Sequence, residues 1–566
     1  VDVRTPLQPK EDPGTRPAAR RWQAVAAWVA GGLVLFAFFL RISFGERVDS
    51  DGANSALQAW DLVHGHLMLH GWIVGDATFY AFELPLNGIV QLLFGVGSLA
   101  AHISSALTYL IVAACAVALA VTSSRGLARA VRCAVVVAVL AAPLLAGPPV
   151  LVLLEEPDHI GTSLFLLLSF LLIDRVPDRP FTAPLACLVL CAGQLSDLTV
   201  RYVAVPAVVL VCGYRVLAAR KLRSGDTALV VAAVMSVPLE SVLRAAMVHF
   251  GAFVMVLPQT RLSSPRLWPQ HASVTWLNVR VLFGSVARPD TKLGGAGVAF
   301  GLICLLAALF GLARVIWTWR RASRAEQLLF AAIVFNVGTY LVSVMPSPGR
   351  YREVAAVVPC GAVLAARALV PARITGMSRA FAAVAATGLI ALLSLASAAT
   401  RPPISPASAP LAAWLEAHGL TYGIAGYWDA SIVTLQSGNR VQIRAVDLYR
   451  DIDGHPGLKI YVPGWETNDL WYNVSRYDAT FAVADSHGRY PAAGFEHFLG
   501  KPAATYRVAS WLVLVYRANL LQRILPRPGP LQSDRPLPGR RHRTGAHRHD
   551  RWSCPAVSSE GPCAIR

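Results

Sequence analysis

The chain reads as an α-helical polytopic membrane protein, with about eleven transmembrane helices, interfacial helices between them, and a small C-terminal extracytoplasmic α/β domain. Three observations predict this. Of 566 residues, 55% are hydrophobic and only 15% charged, with a mean hydropathy of +0.49, which is more apolar than a soluble globular chain. Apolar runs long enough to cross about 30 Å of hydrocarbon recur as far as residue 399. The composition then changes at RPPISPASAP, residues 401–410, a Pro/Ser linker beyond which strand and helix patterns alternate.

The expected spans lie at 22–42, 101–123, 133–153, 160–174, 181–196, 201–217, 227–247, 294–317, 327–345, 353–371 and 379–399. Their orientation follows from the excess of Arg and Lys in cytoplasmic loops. With Arg16, Arg20 and Arg21 inside, the other inside loops carry Arg125/Arg129/Arg132, Arg175/Arg179, Arg215/Arg220/Lys221/Arg223, Arg320/Arg321/Arg324 and Arg373/Arg379. These arginines read as orientation signals only. The agreement requires that ELPLNGIVQLLFGVG, residues 83–97, does not cross; it is short, contains Pro85 and reads as an interfacial helix. A second such helix is expected in SVTWLNVRVLFGSVARPD, within an outside loop at 248–292, with Trp276, Leu277 and Phe283 in the interface. The result is a plasma-membrane protein with a cytoplasmic N-terminal segment (1–21), a membrane domain (22–400), an extracytoplasmic domain (411–520) and a basic disordered tail (521–566).

In the C-terminal domain, WLEAHGL has helical spacing, YGIAGY opens like a strand, and WDASIVTLQSG followed by RVQIRAV predicts helix then strand. ATFAVAD, GFEHFLG and RVASWLVLVY add strand, helix and strand. GIAGYWDAS lacks the GxGxxG spacing of a dinucleotide site. The tail contributes much of the net charge of +18 but lacks the aromatic interleaving of a nucleic-acid binder, so no nucleic-acid partner is expected. No cleavable signal is read, because the first apolar run is long enough to be a span. Seven of nine cysteines lie in or beside apolar runs and act as small hydrophobes. Only Cys554 and Cys563, in the tail, suit an oxidising exterior.

This orientation collects the acidic residues on one face. VDSDGANSALQAWDLVHGH puts Asp49, Asp51 and Asp61 just beyond the first span, where membrane-edge carboxylates are costly and mark function. Asp61 reads as surface decoration. Glu155, Glu156, Asp158 and His159 follow the third span, and Asp197 with Arg201, spaced i, i+4, fits either a salt bridge or the site. Arg350, Arg352 and Glu353 cap the outer end of another span. The alternative for these arginines is headgroup anchoring.

The first span, the Asp pair with its helix (SDGANSALQAWDLVHGH), the interfacial helix ELPLNGIVQLLFG and the acidic EEPDHIGT together resemble the GT-C superfamily of polytopic glycosyltransferases. The similarity is strongest to bacterial arabinosyl- and mannosyltransferases that use polyprenyl-phosphate sugars. It departs from the commonest family pattern in that Gly52 follows Asp51, which leaves Asp49 as a rival. The resemblance implies transfer of a sugar from a polyprenyl-phosphate donor to a hydroxyl of a glycan, lipid or protein acceptor on the outer face, among membrane lipids. Asp51, or Asp49, would be the general base. Arg352, Arg350 and Arg201 would hold the donor phosphate. Glu155, Glu156, Asp158, His159 and Asp197 would position the acceptor or hold a divalent cation. A lipid or solute transporter and a noncatalytic envelope-assembly protein remain the alternatives.

Overall fold

The computed structural model describes residues 15–527 except 147, 155–158, 176–178, 223, 257–260, 287–293, 375–376, 450–458 and 486–489. The expected tail beyond 527, with Cys554 and Cys563, lies outside the described residues, as does the N-terminus before residue 15.

The chain begins with α1 (Thr15–Ser43), α2 (Ser50–Val63), a short strand β1 (Trp72–Val74), α3 (Glu83–Phe94) and α4 (Ser98–Ala120). Then follow α5 (Leu127–Ala146), α6 (Pro148–Leu154), α7 (Thr162–Arg175), α8 (Thr182–Ser196), α9 (Thr199–Ala219) and α10 (Gly225–His249). After β2 (Val254–Met255) come α11 (Trp268–Leu282), α12 (Gly294–Trp317), α13 (Arg324–Val342), α14 (Val357–Leu369) and α15 (Met377–Ala399).

Among the described residues, seven helices are long and apolar enough to cross a membrane: α1, α4, α5, α9, α10, α12 and α13. The remaining expected spans fall on α7, α8, α14 and α15, of which the first three have 14, 15 and 13 residues. The chain is therefore a multi-pass membrane protein, with seven full-length spans among the described residues against the eleven expected. Helix α3 occupies the segment expected not to cross. It lies so close to α2 that a Cβ on Gly88 would sit 2.3 Å from Val63 Cγ1. Helix α11 forms where the second interfacial helix is expected, starting five residues earlier; Trp276 and Leu277 are exposed, whereas Phe283 is buried in the helical core.

Two of the arginines expected to face the cytoplasm have structural partners of their own. Arg132 is buried and donates from Nε and Nη2 to the Val370 carbonyl (3.1 and 2.9 Å) and from Nη1 to that of Ala120 (2.9 Å). Arg324 pairs with Asp226 at 2.9 Å. Carbonyls at a helix end have no intrahelical donor, and a buried guanidinium satisfies several at once.

The C-terminal region continues with α16 (Ala409–Ala417), β3 (Tyr422–Gly426), α17 (Tyr427–Gln436), β4 (Gln442–Tyr449), β5 (Lys459–Tyr461), β6 (Thr467–Asn468), β7 (Phe481–Asp485), α18 (Ala492–Leu499), β8 (Ala504–Val508) and β9 (Trp511–Val515). A six-stranded sheet runs in the order β5-β4-β3-β7-β9-β8. Strand β3 is parallel to β4 and β7, and the other pairs are antiparallel. Alternate residues face opposite sides: Phe481 and Val483 meet α16 and α17, while Ala482 and Ala484 meet α18. RVASWLVLVY, expected as one strand, is a hairpin, because Ala509 takes a left-handed φ of 51° and reverses the chain. Residues 521–525, assigned to the tail, pack on the C-terminal domain instead: Leu520–Arg523 forms a 3-10 turn with Leu521 buried, and Leu525 N donates to Ile460 O of β5 at 2.9 Å.

Replacing Arg132 with Ala leaves two buried helix-end carbonyls unmet, and thermal unfolding in detergent should show a loss of about 2–4 kcal/mol. Unchanged stability would mean that water meets those carbonyls.

Candidate active site

Helix α2 carries the site because its N-terminus is fixed by its own cap. Asp49 is extended, and its Oδ1 accepts from the backbone N of Asp51 (2.8 Å) and Gly52 (3.1 Å). An Asp N-cap meets amides that have no intrahelical acceptor. Asp51 then stands in the first turn, on the same face as Ser55 and Gln58, and the three line one cavity with Asp76, His159, Arg352, Trp465 and Glu466.

The Tyr427 hydroxyl donates to Asp51 Oδ1, and Arg352 Nη1 lies 3.8 Å from Asp51 Oδ2. Acidic and basic groups then alternate. Arg352 Nε is 3.9 Å from Glu353, Glu353 is 3.6 Å from His159 Nε2, and His159 Nδ1 is 2.6 Å from Asp197 Oδ2. Asp197 also accepts from the Thr162 hydroxyl and, at 2.7 Å, from Thr199 N. Burial pushes its carboxyl up, but His159 and these donors outweigh burial and hold it below its usual value. His159, at φ 51°, is thus committed to two carboxylates. Glu155, Glu156 and Asp158 lie outside the described residues, and among the described residues no three His, Cys, Asp or Glu side chains are grouped to hold a metal ion.

The loop after β1 is pinned to the corner between α8 and α9: Thr78 Oγ1 donates to Leu195 O at 2.6 Å and Thr78 N to Ser196 O at 2.7 Å. This places Asp76 near His159, Asp197 and Glu353; burial, with the two neighbouring carboxylates, raises its carboxyl. Behind it, the buried Glu83 carboxyl is pushed by burial to about 8 and faces Gly161, where a Cβ would lie 1.5 Å from its Oε1.

A second cavity, of about 360 Å³, shares Asp76 with the first and is lined by Arg201, Arg244, Arg261, Tyr202, Tyr340 and Glu353. Arg201 does not pair with Asp197. Its Nη2 meets Glu240, and its Nε donates to Gln194 Oε1 at 3.2 Å. Arg350 is exposed, with Nη1 3.4 Å from Met345 Sδ, and lines neither cavity. Asp61, expected as surface decoration, accepts from Trp72 Nε1 at 2.8 Å.

The C-terminal region contributes to the first cavity, which the sequence does not announce. Strand β6 pairs antiparallel with β1, Asn468 opposite Trp72. Just before it, Trp465 stacks on Tyr427 with centroids 5.4 Å apart, and Glu466 accepts from Gly75 N (2.9 Å) and Gln58 Nε2 (3.0 Å). Glu466 has a left-handed φ of 47°, a conformation that persists only where surrounding contacts enforce it. Tyr427, Trp465 and Glu466 carry no motif spacing. Glu240 did carry a signal: a carboxylate inside an apolar run with Arg244 one turn on.

No protein-family model matches the chain, and no curated protein matches it in sequence. Among solved structures, ArnT from Cupriavidus metallidurans bound to undecaprenyl phosphate is similar over 89% of this chain and 99% of that one, with a TM-score of 0.53 and 14% identity. The Archaeoglobus fulgidus oligosaccharyltransferase, tethered with an acceptor peptide, gives a TM-score of 0.44 and 12% identity over 80% of this chain and 69% of that one. The match to ArnT shows that this chain shares its fold, which is GT-C-like.

Burial raises the Glu466 carboxyl from 4.5 to about 7. An acid raised on folding contributes stability that is complete below about 4.5 and is lost as pH climbs through 7. Glu466→Gln, neutral throughout, should therefore gain in melting temperature relative to the parent between pH about 5 and about 8. A constant difference across that range would contradict burial as the cause.

Proposed function

We propose that this protein is an integral membrane glycosyltransferase that moves a sugar from a polyprenyl-phosphate donor to an acceptor hydroxyl on the extracytoplasmic face. The observation that carries the reading is the pair of adjoining cavities, one built around Asp51 and the other lined by three arginines, with Asp76 on the wall of both. The ArnT structure of the same fold holds undecaprenyl phosphate. The orientation comes from the basic inside loops.

In this reading the acceptor hydroxyl lies against Asp51. Its oxygen attacks the anomeric carbon as its proton passes to the Asp51 carboxylate. The bond from that carbon to the phosphate oxygen breaks, and the departing lipid phosphate gains negative charge. Arginine forks stabilise such charge through charge-assisted, often bidentate hydrogen bonds. Arg201, Arg244 and Arg261 serve the phosphate, and Arg352, beside Asp51, keeps its carboxylate company and faces the reacting centre. Arg350 acts as a headgroup anchor. Asp49 works through the helix it caps, and His159 with Asp197 holds the Glu353–Arg352 pair in place.

The test is turnover of a panel of radiolabelled polyprenyl-phosphate sugars by purified protein, comparing Asp51→Asn with Asp49→Asn. The amide at 51 keeps the shape and loses the base, so turnover should fall by a factor on the order of 10² or more while donor still binds. Asn is as good an N-cap as Asp, so Asp49→Asn should keep most activity. Full activity in Asp51→Asn would remove the proposed mechanism.

A further inference from the structure

The second cavity contains one feature that sugar transfer as described leaves unused. Glu240, in α10, is fully buried, and its two oxygens are divided between two arginines: Oε2 meets Arg201 Nη2 from α9, and Oε1 lies 3.0 Å from Arg244 Nε on its own helix. A buried carboxylate in an apolar helix is costly unless it is paired. Both arginine side chains are 23% exposed and line the cavity. Gln194 Oε1 and Ser241 Oγ complete the hold on Arg201. Among the described residues, Arg201 Nη1 and Arg244 Nη2 are engaged by no side chain, so each fork keeps N–H groups for a ligand.

We propose that Glu240 is a positioning residue: it splits its carboxylate between Arg201 and Arg244 so that two like-charged forks, which would otherwise repel, converge on a single phosphate group. The same cavity also carries Asp76 and Glu353, whose carboxylates repel an anion, so a phosphate entering it is drawn to the arginines. The ligand class is a lipid-linked phosphate, and the proposal rests on the donor reading above.

Undecaprenyl phosphate is titrated onto the full-length protein in nanodiscs, and donor KM and kcat are measured alongside. Glu240→Gln should bind the lipid phosphate about tenfold more weakly, a change equivalent to about 1.4 kcal/mol, and raise donor KM with kcat retained. The weakening should persist at high salt, because lost orientation is not screened as a lost surface charge is. Glu240→Asp, which keeps the charge but is too short to span both forks, should fall between parent and Gln. If Glu240→Gln does not fold, Glu240→Asp carries the test. Equal affinity and donor KM in the parent and in whichever variants fold, with only melting temperature and yield lowered, would make Glu240 a purely structural ion pair and overturn the proposal. A parent protein that fails to bind undecaprenyl phosphate at all would instead overturn the donor reading itself.

Discussion

The seam between α2 and α17 is the contact on which the rest of the site depends. Ser50 Oγ donates to the Tyr427 carbonyl at 3.0 Å, Tyr427 returns a hydroxyl to Asp51, Ser431 Oγ donates to Asn54 Oδ1 at 2.7 Å, and Gln58 reaches Glu466. Each is a buried or half-buried polar group that would be expensive to leave unmet. Together they hold the membrane-edge carboxylate and the C-terminal region in one register. The cavity around Asp51 therefore has walls from both ends of the chain, and neither end forms it alone.

From that seam, charge is handed inward. Asp51, Arg352, Glu353, His159 and Asp197 alternate acid with base, so each group offsets part of the cost of enclosing its neighbour. The chain of charges ends at the corner between α8 and α9, which begins the helix bearing Arg201. The carboxylate proposed as proton acceptor and the arginines proposed to hold an anion are in this way fixed to one continuous scaffold. Pre-set polar groups of this kind act without reorganising at the moment of reaction.

The helical architecture was legible because its causes are local. Apolar length marks a span, Pro85 and a short run mark α3, and the alternation of ATFAVAD marks a strand. The count of spans was less so, since α7, α8 and α14 are short enough that length alone does not settle a crossing. Asp51 was legible as a carboxylate at a membrane exit, and Arg201 as a cation at a helix end. Asp49 could be separated from Asp51 only by seeing its oxygen on the amides of 51 and 52. Tyr427, Trp465 and Glu466 were hidden for a different reason. They stand roughly 370 to 410 positions from Gln58 and Asp51, and contacts across such a separation leave no periodicity to read. Arg132 looked like an orientation signal because the carbonyls it serves belong to other helices.

The account turns on where a lipid phosphate sits relative to Asp51, and a structure determined with undecaprenyl phosphate bound in nanodiscs addresses this directly. The phosphate should lie within hydrogen-bonding reach of Arg201 and Arg244, with the lipid chain leaving the second cavity and the Asp51 cavity open for an acceptor. Phosphate density against Arg350, or filling the space beside Asp51 and Trp465, would contradict the arrangement of donor and base described for this site.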